Sequence, residues 1–282
     1  MQPASRSSPT SSTGPAPLAA FLLPQADASL KLLAGAGFAA FRTPEACADA
    51  VRAYLEWQVP REPVAVAGLE AVRPLLGAAD AQRGARAVFA ALGIEDRAVA
   101  VVPDHPPTLV YPVALKAVSA SIAHKTEAGA VVLGVADEAA LRAACAEMQA
   151  RLGSAVRGFI AQPMVCGVGE AILGYRRDPL VGPVVALGAG GVLAEVYRDM
   201  VLRMAPVDEA GAMEMIAAVK GLAPARGYRG LQRGDLAAFA RAVVAFSRLA
   251  ALAEVAEAEI NPVIVLAEGQ GVVMADALLA QS

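Results

Sequence analysis

The chain has 282 residues, 56% of them hydrophobic and 5% aromatic, with a net charge of −3. That length holds one large domain or two modest ones, and the scattered arginines form no basic stripe, which excludes a nucleic-acid partner. A membrane span is excluded as well, because the uncharged run 180–194 is short and broken by Gly182, Pro183, Gly188, Gly190 and Gly191.

Residues 1–17, rich in Ser, Pro and Thr, have the composition of a disordered arm and lack the charged start and apolar core of a secretion signal. Cys47, Cys145 and Cys166 are odd in number and well separated, so neither a disulfide framework nor a zinc site is expected, and the compartment is read as cytoplasmic. Residues 18–60 form a short α/β pattern: a helix over 26–33, a turn at Gly35 and Gly37, the strand FAAF, and a helix opened by the cap pair Thr43-Pro44. The piece is too small to fold alone and reads as the last βα unit of something larger. After a break at Val59-Pro60, an alanine-rich helix is predicted over 68–92, stopping at Gly93. Pro103, Pro106, Pro107 and Pro112 then forbid a helix and favour extended chain.

Beyond Tyr111 strands are predicted at 113–118 and 130–135, followed by a helix from the N-cap Asp137 to Gly153. Further strands follow at 158–165, 170–174, 183–187, 193–197 and 201–204, then helices over 208–219 and 235–254, and closing strands at 258–266 and 271–275. Strands with few helices between them imply a mostly antiparallel sheet and an α+β fold.

Of the 24 basic residues only four are lysines, and two of them, Lys116 and Lys125, lie with His124 inside YPVALKAVSASIAHKTEAGAVVLG, 111–134. Lysine is a compact point charge suited to phosphate, and histidine can hold a transferable proton or phosphoryl group near neutral pH. Lys116, in the strand VALKAV, either faces solvent from a half-exposed strand or turns inward to a bound phosphate. The segment AHKTEAGA, with small residues, a hydroxyl and Gly129, is built to aim backbone N–H groups at an anion. No stretch matches GxxxxGK[ST], which excludes a Walker-type site. His124 is either ordinary surface or a phosphoryl acceptor.

Gln162-Pro163-Met164-Val165 ends one strand, and Glu170 begins the next. Such a hinge offers backbone groups to an adenine ring and a carboxylate to ribose hydroxyls, or else is a plain turn with a solvated glutamate. The glycines at 188, 190 and 191 start like a dinucleotide fingerprint but lack the following helix. Finally, EAEINPVIVL and VVMADALL set Glu259, Asn261 and Asp276 at the ends of two paired strands, with Glu259 and Asn261 on one face. Magnesium held together with phosphates takes one or two such oxygen ligands; the alternative is that Asn261-Pro262 is only a bulge and turn.

Taken in order, the 111–134 segment, IAQPMV, GEAILGYRRDPLVGPVVALGAGGVLAEVYRDMVLRMAP, EINPVIV and ADALL resemble the ATP-grasp domain of the ADP-forming acyl-CoA synthetases, relatives of succinyl-CoA synthetase that include acetate–CoA ligase. The resemblance covers 68–279 and implies two α+β lobes, 64–163 and 164–282, around a nucleotide cleft. Residues 18–60 are similar to the tail of a flavodoxin-like CoA-ligase domain. It further implies ATP and magnesium as cofactors, with Lys116 and Lys125 at the phosphates, Gln162 to Val165 as the adenine hinge, and Glu170 at the ribose. Asn261 and Asp276, with Glu259 beside them, would hold magnesium, and His124 would relay a phosphoryl group. The chain departs from the family where Ala130 follows Gly129 in place of a second glycine, and where only sixteen residues separate Ile94 from Tyr111. It carries no CoA-binding Rossmann domain and no catalytic-histidine domain, so a partner alpha part is implied. A carboxylate–amine ligase of ATP-grasp type and a non-catalytic ATP-sensing module are the alternative readings.

Overall fold

The computed structural model describes residues 18–23, 26–57, 62, 64–77, 81–119, 129–191 and 194–281, without the side chains of 81–83, 195 and 197. The predicted arm 1–17 lies outside the described residues. The chain divides into two compact units, Met1–Glu62 and Pro63–Ser282.

In the first unit, β1 (Ala19–Phe21) and β2 (Ala39–Phe41) pair in parallel, joined by α1 (Asp27–Gly35). Next comes α2 (Pro44–Glu56), which opens on Thr43, whose hydroxyl accepts the Ala46 N–H at 3.2 Å while Pro44 fills the first turn. The parallel pairing requires the helical crossover between the strands.

The second unit opens with a turn and a short 3-10 helix, Arg73–Gly77, followed by α3 (Ala81–Ala91). Of the single helix expected over 68–92, the described residues before 78 form a turn and a 3-10 helix and not an α-helix, because Pro74 lacks the N–H that an α-helix running through it needs. Then come β3 (Glu95–Asp96), β4 (Val99–Val101), β5 (Val113–Val118), β6 (Val131–Val135), α4 (Glu138–Leu152) and β7 (Gly158–Pro163). Strands β4, β7, β5 and β6, in that order, form an antiparallel sheet of four. Val113, Leu115, Ala117, Phe159 and Ala161 point from one face of it onto Leu141, Cys145 and Met148 of α4. The opposite face of β5, Ala114, Lys116 and Val118, is also buried, so a second body must cover it.

That body is built from β8 (Gly169–Asp178), β9 (Gly182–Ala189), α5 (Ala194–Tyr197), β10 (Met200–Met204), α6 (Glu209–Ala218), α7 (Leu236–Ser247), β11 (Val255–Val265), β12 (Val272–Met274) and β13 (Ala277–Gln281). The strand expected at 193–197 is instead the short helix α5, its Ala-Glu start favouring helix over sheet. The long helix expected over 235–254 ends at Ser247, and β13 had no counterpart in the sequence reading. The sheet runs β10-β9-β8-β11-β12-β3, and β13 takes the stretch of the β11 edge that β12 leaves. All its pairings are antiparallel except β12 with β3.

One face of this large sheet, with Ala171, Leu173, Tyr175, Val185 and Leu187, packs on α6 and α7 and also on α3. Phe89 of α3 and Phe246 of α7 meet at 5.3 Å between ring centroids. Each fully buried phenyl is worth about 1.5–3 kcal/mol, and the ring pair adds about 0.5–1.5. Leu69, Val72, Leu76, Ala85, Val88 and Phe89 thus belong to the core of the large sheet although they precede the small one in the chain. Along β8 and β9 the alternate residues Glu170, Gly174, Ala186 and Gly188 face away from that core, and so does Glu259, opposite Gly174. This open face and the buried face of β5 bound the candidate site.

Candidate functional site

The site is assembled where β12 gives way to β13. Ile260 pairs with Leu173 and Val263 with Ala171, so Asn261 and Pro262 together oppose the single residue Ile172 in a β-bulge, with a cis Asn261–Pro262 peptide. The bulge expected at this dipeptide is therefore present, and it does not displace the ligand reading, because bulges re-aim side chains at functional sites. The Asn261 N–H bonds the Asp276 carbonyl at 3.2 Å, and the Ala275 N–H bonds the Pro262 carbonyl at 2.9 Å. Asn261 of β11 accordingly lies opposite Asp276 in the link between β12 and β13. Glu259 sits two residues back along β11, opposite Leu278. Asp276 also accepts the N–H of Ala277 at 3.0 Å.

The small sheet supplies the other wall. Lys116 is 7% exposed, and its ammonium donates to the Ala275 carbonyl at 2.6 Å. The register Lys116↔Ile160 and Ala114↔Gln162 puts Gln162 on the same face, where its amide donates to the Met274 carbonyl at 2.7 Å. Two side chains of the small sheet thus hold two consecutive carbonyls of the large one, immediately before Asp276. Lys116 therefore faces inward, onto a main-chain carbonyl, and not into solvent.

The expected adenine hinge is the connection from β7 to β8. Gln162 itself is 5% exposed and turned inward. Met164 is 46% exposed; its N–H is held by the Pro112 carbonyl at 2.9 Å and its sulfur accepts the Gly134 N–H at 3.1 Å. Pro163 and Val165 are half-buried on either side of it. Nearby, burial pushes the Tyr111 phenol up, assisted by Glu138 and Asp137, so it stays neutral and protonated. Glu170 is exposed at the start of β8; its carbonyl accepts the Gly190 N–H at 2.8 Å, which places it beside the 188–191 glycine turn.

His124 and Lys125 lie outside the described residues. The loop's exit is described: Gly129 has φ +67°, a left-handed conformation that favours glycine, and the guanidinium of Arg151 lies beside it. Ala130, by contrast, is fully buried in the small core with ordinary φ, and the missing second glycine costs no backbone freedom.

Among the described residues no three or more His, Cys, Asp or Glu side chains gather as a metal cluster. The donor set Asn261 and Asp276, one amide and one carboxylate, fits a magnesium ion that takes its remaining ligands from phosphate and water.

Sequence reasoning missed Arg86 and Asp96. Arg86, 5% exposed on α3, forms a two-pronged ion pair with Asp96 on β3, one prong of it Nε to Oδ2 at 2.8 Å, and its third donor group reaches the Ala275 carbonyl at 2.9 Å. The only trace in the sequence is a charge beside the buried positions Ala85, Val88 and Phe89.

Known proteins resemble this chain in sequence and in fold. The chain is 38% identical over 168 residues to acetate–CoA ligase [ADP-forming] I of Archaeoglobus fulgidus, which covers 58% of this chain but only 24% of that protein. The chain is thus about a quarter-length match to that relative. It is 36% identical over 159 residues to the acetate–CoA ligase [ADP-forming] I subunit beta of Pyrococcus furiosus, covering 54% of this chain and 68% of the subunit. The acetyl-coenzyme A synthetase 1 of Ca. Korarchaeum cryptofilum, solved with coenzyme A and Ca-AMPCP, superposes with a TM-score of 0.65 at 29% identity, over 71% of this chain and 92% of that one. In its complex with Mg-AMPPCP, a phosphohistidine segment of that synthetase points towards the nucleotide binding site. Residues 85–280 match the ATP-grasp domain model. On this match, and on two sheets that meet at Lys116 and Ala275, the chain belongs to the ATP-grasp domain family.

Proposed function

We propose that the chain is the nucleotide-binding part of an ADP-forming acyl-CoA synthetase, converting carboxylate, CoA and ATP to acyl-CoA, ADP and phosphate together with an alpha part that carries the CoA-binding and catalytic-histidine domains. The observation that carries this reading is the buried ammonium of Lys116 on the carbonyl next to Asp276, across from Asn261. Phosphoryl transfer requires positioning and charge neutralisation more than covalent chemistry from the protein, and the site offers both.

In this reading Lys116 and Lys125 meet the phosphates. Gln162, Pro163, Met164 and Val165 border the adenine, with Gln162 acting from behind by fixing Met274, and Glu170 reaches the ribose. Asn261 and Asp276, with Glu259 adjacent, hold magnesium, which neutralises phosphate charge when bound. His124 relays the phosphoryl group between the nucleotide and the partner's catalytic histidine. The similarity to a beta subunit supports the need for an alpha part, and residues 18–60 are the tail of a flavodoxin-like CoA-ligase domain. Three unpaired cysteines and the lack of a membrane-crossing helix among the described residues fit a cytoplasmic protein. Nothing observed favours the carboxylate–amine ligase or the ATP-sensing module.

The test is phosphorylation by γ-labelled ATP with magnesium. An acid-labile, base-stable phosphoprotein is expected in the parent chain and none in His124→Ala. Label retained by that variant removes the relay role.

A further inference from the structure

Arg86 has no part in the proposed function, yet it is among the most buried charged groups of the described residues, and its hydrogen bonds to Asp96 and to the Ala275 carbonyl converge on the site. It arises from α3, whose Ala85, Val88 and Phe89 pack in the large core. Its Nε and one terminal nitrogen grip the two oxygens of Asp96, and the remaining nitrogen donates to the Ala275 carbonyl at 2.9 Å. That carbonyl also accepts Lys116 at 2.6 Å. Asp96 is itself fixed, because its Oδ1 takes the Ala98 N–H at 2.8 Å and β3 pairs with β12 through Met274↔Asp96.

We propose that Arg86 is a positioning residue of the nucleotide cleft: anchored by Asp96, it holds the Ala275–Asp276 segment, and through the shared carbonyl it sets where the Lys116 ammonium sits. The inference deepens the nucleotide reading and rests on it. A fork geometry suits this task, since a guanidinium can engage a carboxylate with two donors and still aim a third at a carbonyl, whereas an ammonium has no rigid fork. A buried ion pair is in general no better for stability than an apolar pair of the same size, so stability alone gives no reason for one here. Positioning does, because removing a partner that orients a metal ligand typically weakens metal binding about 10–100-fold.

The test uses the full chain. Arg86→Met alone strands a buried carboxylate, so the informative variant is Arg86→Met with Asp96→Asn, which removes both charges and keeps the acceptor for Ala98; Arg86→Lys is the conservative control. Titration calorimetry with AMPPCP, with and without magnesium, is read beside thermal unfolding and amide hydrogen exchange at Ala275 and Ala277. The expected result is an unfolding temperature close to the parent's, faster exchange at Ala275 and Ala277, and Mg-AMPPCP binding weakened about 10–100-fold. AMPPCP without magnesium should be affected far less, and Arg86→Lys should recover binding only in part. Unchanged exchange at the two amides overturns the proposal, and so does an equal loss with and without magnesium or full recovery by lysine. A parent chain that binds no AMPPCP at all defeats the nucleotide reading instead, while the exchange measurement still decides whether Arg86 holds the segment.

Discussion

Replacing Lys116 by methionine separates binding from folding, because the terms that act on folding nearly cancel whereas the loss to binding is not offset. The side chain is 7% exposed and spends a charge-assisted hydrogen bond of 2.6 Å on the Ala275 carbonyl. Such a bond is worth about 1.5–3 kcal/mol. Against it stands the desolvation of a buried ammonium, an effective penalty of several kcal/mol that methionine of similar length does not suffer. The carbonyl is not orphaned by the change, since Arg86 still donates to it at 2.9 Å. The net effect on stability is therefore within about 1–2 kcal/mol of zero, which for a unit of this size is a shift of roughly 2–8 °C in unfolding temperature. A bound polyphosphate, however, loses a buried cation, and at about 1.4 kcal/mol per decade the same 1.5–3 kcal/mol becomes a roughly 10–100-fold weaker Kd. Calorimetric titration of parent and Lys116→Met with Mg-AMPPCP, alongside thermal melts, reads both quantities. An affinity unchanged in the variant, or one that falls only in step with unfolding, refutes the assignment of Lys116 to the phosphates.

Two further outcomes follow from the large sheet. Asp235 caps α7, its carboxylate accepting the N–H of Ala238 at 2.9 Å and that of Gly271 at 3.0 Å. The Ala238 N–H foremost, then those of Gly271 and Gly269, hold its carboxyl below the ordinary value. Because the folded-state value is lowered, the stabilisation is fully present above the unfolded carboxylate value and is lost as pH falls through the folded one. Asp235→Ala should cost about 1–2 kcal/mol in urea denaturation at neutral pH, with the gap to the parent closing under acid. A gap that widens under acid would contradict the assignment. Gly190 and Gly174 should behave differently. A Cβ at Gly190 would lie 2.9 Å from backbone atoms of Glu170 and Ala171, whereas one at Gly174 would meet only the Ala186 methyl at 3.5 Å. Gly190→Ala is expected to lose about 1–3 kcal/mol and Gly174→Ala less than about 0.5, measured by urea midpoints. Equal losses would mean that Gly174 does not lie on an open face.

The element pattern was legible where hydrophobic period and capping chemistry agree. Thr43, Asp137, Asp208 and Asp235 are polar caps directly before apolar helical runs, and each accepts an N–H three residues on. The ordered motifs likewise carried the family and the pairing of Asn261 with Asp276, because the bulge at Asn261-Pro262 is local chain chemistry. Short apolar runs were the weak point: 193–197 fits helix or strand equally by period, and nothing local announced that 277–281 would find a free edge on β11. Tertiary structure alone decided which way Lys116 and Gln162 face, since a strand buried on both sides has no polar face to read. It also brought Arg86, Asp96 and Ala275 together across 10 and 189 positions of chain. A main-chain carbonyl that gathers two cations leaves no mark in the residue that bears it, because every residue has a carbonyl and only the packing of two sheets determines which one is approached.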